Sequence, residues 1–155
     1  MEDRVLLESV PSASISGFDA ESAPPLRPVS VLVADDERDI VLTLESILRD
    51  EGYETQGAYS GDDVLKKARA TRPDAAILDI QMPGISGFAV ARELRQIYSL
   101  DRPPLLIAIT GKWTKSSDRL LAALVGFDHY LIKPCEPKHL LKLLAPLVAV
   151  LPTRI

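Results

Sequence analysis

Short apolar runs in this sequence repeatedly stop at residues that carry charge or a hydroxyl. Val29–Ala34 stops at Asp35 and Asp36, Ala75–Leu78 at Asp79, Leu105–Ile109 at Thr110, and His129–Ile132 at Lys133. Brought together, three carboxylates, one ammonium and one hydroxyl would form a strongly anionic pocket. Two carboxylates about 4 Å apart repel by about 1 kcal/mol in bulk water and about 4 kcal/mol at an effective dielectric of 20. Crowded acids raise one another's pKa values unless a cation joins them. A hard cation with oxygen ligands is the expected partner, and Mg²⁺ suits a site with few protein ligands because it keeps several waters. Such an ion bridges phosphoryl oxygens and neutralises developing charge, and a carboxylate nucleophile then forms an aspartyl phosphate. Lys133 would hold one phosphoryl oxygen as a point charge, and Thr110 would hydrogen-bond another.

Each residue alone has a plainer explanation. Asp35 and Asp36 read as caps of the first helix, Asp79 as a turn residue before Pro83-Gly84, Thr110-Gly111 as turn chemistry, and Lys133 as a solvated surface lysine. Jointly, complementary groups at four strand ends are hard to attribute to capping. In open α/β sheets, ligand sites lie outside the carboxyl ends of the strands.

The elements that must position these groups are legible from periodicity. Val29–Ala34 is too continuously apolar for a half-exposed strand and predicts a buried parallel one. A helix follows with Ile40, Val41, Leu44, Ile47 and Leu48 on one stripe, ended by Gly52. Tyr53–Ala58 is a second strand. Ser60, with Asp63 three residues on, is an N-cap for a helix facing Val64, Leu65 and Ala68 inward, which Pro73 breaks. Ala75–Leu78 is the third strand, and a helix from about Gly87 carries Phe88, Val90, Ala91, Leu94 and Ile97. After the fourth strand, Leu105–Ile109, a helix is expected to turn Leu120, Leu121 and Leu124 inward before Gly126 caps it. His129–Ile132 is the fifth strand. The last helix opens near Pro137 with Leu140, Leu141 and Leu144 inside, and Pro146 is expected to end or kink it near Ala145. Five strand-then-helix units in series imply an α/β fold with a parallel sheet covered on both faces and right-handed crossovers.

Residues 1–28 have a different texture, rich in Ser, Ala, Pro and acid and ending in Pro24-Pro25-Leu26-Arg27-Pro28. They read as a flexible leader or linker before a domain at 29–150. The chain's formal charge is −4, and the stretch to Pro28 accounts for −3 of it. That balance offers no surface for blanketing nucleic-acid phosphates. The single cysteine, Cys135, allows no internal disulfide. With an acidic N-terminus and no apolar run approaching the ~20 residues that span a bilayer, a cytoplasmic protein free of membrane contact is expected.

Four stretches together carry a family resemblance: Val-Leu-Val-Ala-Asp35-Asp36-Glu, Asp79-Ile-Gln-Met-Pro-Gly-Ile-Ser-Gly87, Ile-Ala-Ile-Thr110-Gly111, and Gly126-Phe-Asp-His-Tyr130-Leu-Ile-Lys133-Pro134. In order and spacing they resemble the receiver family of two-component signalling over roughly residues 29–145. The resemblance implies a doubly wound, flavodoxin-like fold of five parallel strands in the order 2-1-3-4-5 with five flanking helices. It implies Asp79 as phosphoacceptor, Asp36, Asp79 and the backbone carbonyl of Gln81 as Mg²⁺ (or Mn²⁺) ligands, and Asp35 acting through water. Thr110 and Tyr130 match the switch pair, Lys133 the phosphoryl-binding lysine, and Pro134 a position commonly preceded by a cis peptide. Gln81 and Lys112 match positions that tune phosphoryl lifetime.

The implied partners are a sensor histidine kinase or phosphotransfer protein, and a downstream protein target. The target would meet the fourth helix, fifth strand and fifth helix, about Thr114 to Ala145, and a homodimer is a further option. The Lys-Pro-Cys-Glu-Pro stretch is similar to receivers attached to hybrid kinases, so the chain reads as either a stand-alone regulator or the terminal receiver of something larger. His129 and His139 read as structural or surface residues, and Trp113 as either a partner contact or a packing residue. One alternative is a scaffold that binds without phosphorylation. A haloacid-dehalogenase-like Mg²⁺-dependent phosphatase is disfavoured, because such enzymes resemble one another in an Asp two residues after the nucleophile, where this chain has Gln81. A phosphate-binding glycine loop is also absent, since Leu106 stands where the first glycine before Gly111-Lys112 belongs. Lys112 supplies a first prediction. Lys112→Ala should shorten the lifetime of the phosphorylated form, measured as loss of label over time, and an unchanged or longer lifetime would refute a tuning role.

Overall fold

Why the strands are buried on both faces follows from their neighbours in the sheet. In a computed structural model that describes residues 27–98, 102–111 and 116–150, five strands alternate with five helices. They run β1 (Ser30–Ala34), α1 (Arg38–Asp50), β2 (Glu54–Ala58), α2 (Gly61–Thr71), β3 (Ala75–Asp79), α3 (Gly87–Ile97), β4 (Leu105–Thr110), α4 (Ser116–Val125), β5 (His129–Ile132) and α5 (Pro137–Val150). All pairings are parallel, and the sheet order is β2-β1-β3-β4-β5. This is the doubly wound order expected from the resemblance. The central strands β1, β3 and β4 have helices on both sides, and β3 is buried along its whole length. Side chains alternate between the faces of a strand. Leu32, Leu78 and Leu106 therefore pack with Val64, Val90 and Leu94 of α2 and α3. The alternate residues Val31, Val33, Ile77 and Ile107 point to the other face, which the buried Val41 and Leu48 of α1 and Leu140 and Leu144 of α5 cover.

Local chemistry sets the element ends. Ser60 caps α2, its hydroxyl accepting the Asp63 N–H at 3.2 Å, and Ser86 caps α3 by accepting the Ala89 N–H at 3.3 Å. Neither acid of the pair is the N-cap of α1: that residue is Glu37, and it makes no side-chain cap hydrogen bond. Gly52 follows α1 with φ +94°, a left-handed conformation that glycine adopts without a Cβ penalty.

Two expectations are corrected. The leucines of α4 do not face inward. Leu120 is 63% exposed, Leu121 41% and Leu124 73%, while Ala122 is the buried residue of that helix. At ~100° per residue, Leu120 and Leu124 both project about 160° from Ala122. The small side chain, not the large ones, fixes the rotation of α4. Second, of the two outcomes expected at Pro146, an end is overturned: α5 does not end near Ala145 but continues through Pro146 to Val150. Proline's fixed φ is itself helical, and what it removes is the single N–H that would bond the Lys142 carbonyl. Among the described residues no helix is long and apolar enough to cross a membrane.

These burials rank the leucines. Leu106→Ala, at a position with 0% exposure, should lose about 2–5 kcal/mol of stability. Leu124→Ala should stay within about 0.5 kcal/mol of wild type. Urea unfolding of both variants checks the assignment, and a comparable loss at Leu124 would contradict it.

Candidate functional site

The sheet order brings the chain's strand-end acids to one edge. Asp35 and Asp36 follow β1, Asp79 ends β3 on the neighbouring strand, Thr110 ends β4, and Lys133 follows β5. Carboxylate oxygens of Asp35, Asp36 and Asp79 lie within 4.8 Å of one another. Asp35, Asp79 and Thr110 are buried, whereas Asp36 is exposed. The Lys133 ammonium donates to Asp79 Oδ2 at 3.2 Å and lies 2.7 Å from Asp35 Oδ2. The second oxygen of each buried acid is held by its own loop. Asp79 Oδ1 accepts the Gln81 N–H at 3.0 Å, and Asp35 Oδ1 accepts the Glu37 N–H at 2.9 Å. Each buried carboxylate is thus oriented from both sides, with its free edge toward the shared lysine.

The backbone around the site is built for close approach. Gly87 donates its N–H to the Ile80 carbonyl at 2.8 Å, folding the loop after Asp79 back on itself. A Cβ at Gly87 would fall 2.6 Å from Ile80 Cα, so that fold requires glycine. The Lys133 N–H donates to the Thr110 carbonyl at 2.8 Å, and the lysine stem then runs across Gly111, where a Cβ would lie 3.2 Å from Lys133 Cδ. The Lys133–Pro134 peptide is cis.

Electrostatics follow from this packing. Burial pushes the Asp79 carboxyl above the ordinary carboxylate range and Asp35 adds to the effect, against the Gln81 N–H and Lys133, which favour the ionised form. Burial pulls Lys133 down, but its hydrogen bonds and charge contacts with Asp35 and Asp79 outweigh that and raise it, so it stays an ammonium. Three acids against one ammonium leave an excess of negative charge. All of the carboxylate donors are hard oxygens, and Asp36 offers an exposed carboxylate beside the buried pair. That set suits a divalent cation such as Mg²⁺.

Tyr130 lies on the same sheet face as Thr110, one strand over and two residues back in register, opposite Ala108. Its half-buried ring packs on the core, and the Arg119 guanidinium sits 5.1 Å from the ring centroid. Sequence reading missed this stacking contact, because a cation eleven residues upstream on another element leaves no periodic signal. It also missed Arg95. That guanidinium donates to the carbonyls of Pro104 (2.8 Å) and Gly126 (3.0 Å) and pairs with Asp128 (3.0 Å), tying α3 to β4 and to the α4–β5 turn. Lys112 and Trp113 lie outside the described residues.

Fold and site together define a doubly wound α/β domain with a lysine-bridged acidic pocket at the carboxyl edge of its sheet. The model of the response regulator receiver domain matches residues 31–145. The chain belongs to that family. Among solved structures, the chemotaxis response regulator CheY4 of Vibrio cholerae is 30% identical, with a TM-score of 0.69 over 77% of this chain and 98% of the other. A putative response regulator from Chloroflexus aurantiacus is 31% identical, with a TM-score of 0.71 over 79% and 99%. A response regulator protein from Burkholderia pseudomallei, solved with a phosphorylated aspartic acid, a calcium ion and citrate, is 25% identical, with a TM-score of 0.69 over 78% and 69%.

The raised pKa of Asp79 fixes the sign of a stability prediction. A carboxyl whose folded pKa exceeds its unfolded value of about 3.9 opposes folding once ionised. The cost is absent below that value, grows as pH rises through the folded pKa, and persists above it. In the presence of a chelator, Asp79→Asn should therefore melt above wild type at neutral pH, the gap closing as pH falls toward about 4. Thermal melts across that range test it, and coincident melting at neutral pH would overturn the sign.

Proposed function

We propose that this chain is a phosphorylation-dependent signalling switch whose receiver spans residues 29–150 and whose phosphoacceptor is Asp79. The observation that carries the reading is the arrangement of Asp79: buried, with Oδ2 on Lys133, Oδ1 on the Gln81 N–H, and the acids Asp35 and Asp36 alongside. An Asp79 oxygen attacks the phosphorus of a phosphohistidine on a sensor histidine kinase or phosphotransfer protein. The new O–P bond replaces the N–P bond, and the electron pair returns to the imidazole nitrogen. Lys133 then keeps its charge at a phosphoryl oxygen and the Thr110 hydroxyl donates to another, and the Tyr130 ring turns inward.

Asp36, Asp79 and the Gln81 carbonyl would hold Mg²⁺ or Mn²⁺ directly, with Asp35 acting through water. When bound, the cation neutralises phosphoryl charge at the acceptor. The Burkholderia pseudomallei relative, solved with a phosphorylated aspartic acid and a calcium ion, supports both halves of this assignment. The only reactions assigned to the chain are its own phosphorylation and dephosphorylation, because no carboxylic acid stands at position 81 to serve turnover on a small substrate. The change is read by a downstream protein on the α4–β5–α5 face, in the cytoplasm, with no direct part for nucleic acid or membrane.

Incubation with acetyl phosphate and Mg²⁺, followed by intact mass, tests the assignment. Wild type should gain one phosphoryl group, Asp79→Asn none, and the chelated protein none. Lys133→Met should label more slowly by about 10²–10³-fold, the usual cost of removing one preorganised charge at a reacting centre. Labelling that survives in Asp79→Asn would refute the acceptor, and unchanged labelling under chelation would refute the metal.

A further inference from the structure

A cleft of 560 Å³ lies between α1, from Asp39 to Ile47, and the start of α5, beside the acceptor. That volume falls within the roughly 300–1,000 Å³ of small-molecule pockets. Its walls are aliphatic: Ile40, Leu44 and Ile47 on α1 face Leu140 on α5. The sequence places those three α1 residues on one apolar stripe with Val41 and Leu48. The fold buries Val41 and Leu48 but leaves Ile40, Leu44 and Ile47 only half covered. Protein interiors are normally close-packed, so this is apolar surface that the domain itself does not fill. Two smaller side chains, Thr43 and Cys135, also line the cleft.

The polar lining specifies charge. Asp35, Asp39 and Asp79 border the cleft against Lys133, and that lysine is already engaged by Asp35 and Asp79. Asp39 is exposed, makes no ion pair among the described residues, and is one helical turn from Thr43 on the same wall. A positive group is therefore favoured at Asp39, and a negative one is disfavoured by the excess of carboxylate over ammonium in the lining.

We propose that this cleft is a binding site for a small molecule with an apolar body and one positively charged group. The body lies against Ile40, Leu44, Ile47 and Leu140, and the charge sits at Asp39 with the Thr43 hydroxyl as a second acceptor. Binding here rests on the cleft alone and requires no phosphoryl chemistry.

Titration of the full chain with 4-phenylbutylamine, followed by amide NMR, tests the site, with 4-phenylbutyrate as the charge-reversed probe. The amine should give saturable shifts confined to α1 and α5 and bind at least about fivefold more tightly than the carboxylate. Cys135→Phe, which fills the cleft, should weaken the amine by about tenfold or more, and Cys135→Ser should not. Leu44→Phe serves as a second filling variant should the first fail to fold. Asp39→Asn should remove the preference for the amine. Absence of saturable shifts, equal binding of the two probes, or binding indifferent to a folded filling variant would each overturn the proposal. A chain labelled on Asp79 that binds no amine overturns this site alone, and one that binds amine but takes no phosphoryl group overturns the switch reading alone.

Discussion

The contact on which the rest of this molecule depends is the Lys133 ammonium shared between Asp35 and Asp79. Two buried carboxylates on adjacent strands would otherwise face each other in a medium far less forgiving than water. Lys133 approaches both on their Oδ2 edges, while loop N–H groups of Glu37 and Gln81 take the Oδ1 edges. The arrangement is still short of positive charge. Asp36 adds a third acid, and burial keeps the Asp79 pKa raised despite the lysine. A pocket that remains anionic after its resident cation is counted suits a second cation and the transfer of a group that brings its own charge.

Positioning that lysine dictates much of the backbone. It follows β5, which lies two strands from β3, so its side chain must cross the end of β4. Gly111 leaves the path open for the stem, and the Lys133 N–H bonded to the Thr110 carbonyl fixes where the crossing begins. The turn after Asp79 is compressed in the same way, with Gly87 packed against Ile80. These glycines stand in the chain not to relieve φ but because another chain atom occupies the space of a Cβ.

What could be read from the sequence follows from the range of each interaction. The acids, Thr110 and Lys133 were legible because each ends a strand, and a doubly wound sheet gathers strand ends at one edge whatever its detailed packing. Ser60 and the α2 stripe were legible because capping and periodicity act within one or two turns. The rotation of α4 was not. Leu120, Leu121 and Leu124 repeat at helical spacing, yet the close approach of the helix to its neighbours is made by Ala122, whose small size carries no pattern. Pro146 allowed either an end or a kink, and the end did not follow, since the helix loses one hydrogen bond and continues. The Arg119–Tyr130 stack, the Arg95 clamp and the uncovered α1 wall join elements distant in sequence, and no short-range signal encodes them.

The same features indicate where the fold is easiest to deform. α2 buries Gly61, Val64, Leu65 and Ala68, and α3 buries Gly87, Val90, Ala91 and Leu94, whereas α4 buries Ala122 alone. Elements with few buried apolar contacts open or shift at lower free energy than those that form the core. The far end of α4 is nevertheless secured. Gly126 and Asp128 both take hydrogen bonds from Arg95, and Asp128 also accepts the Leu106 N–H at 2.8 Å. Toward its other end, Arg119 is stacked on Tyr130 and joins α4 to the aromatic ring on β5.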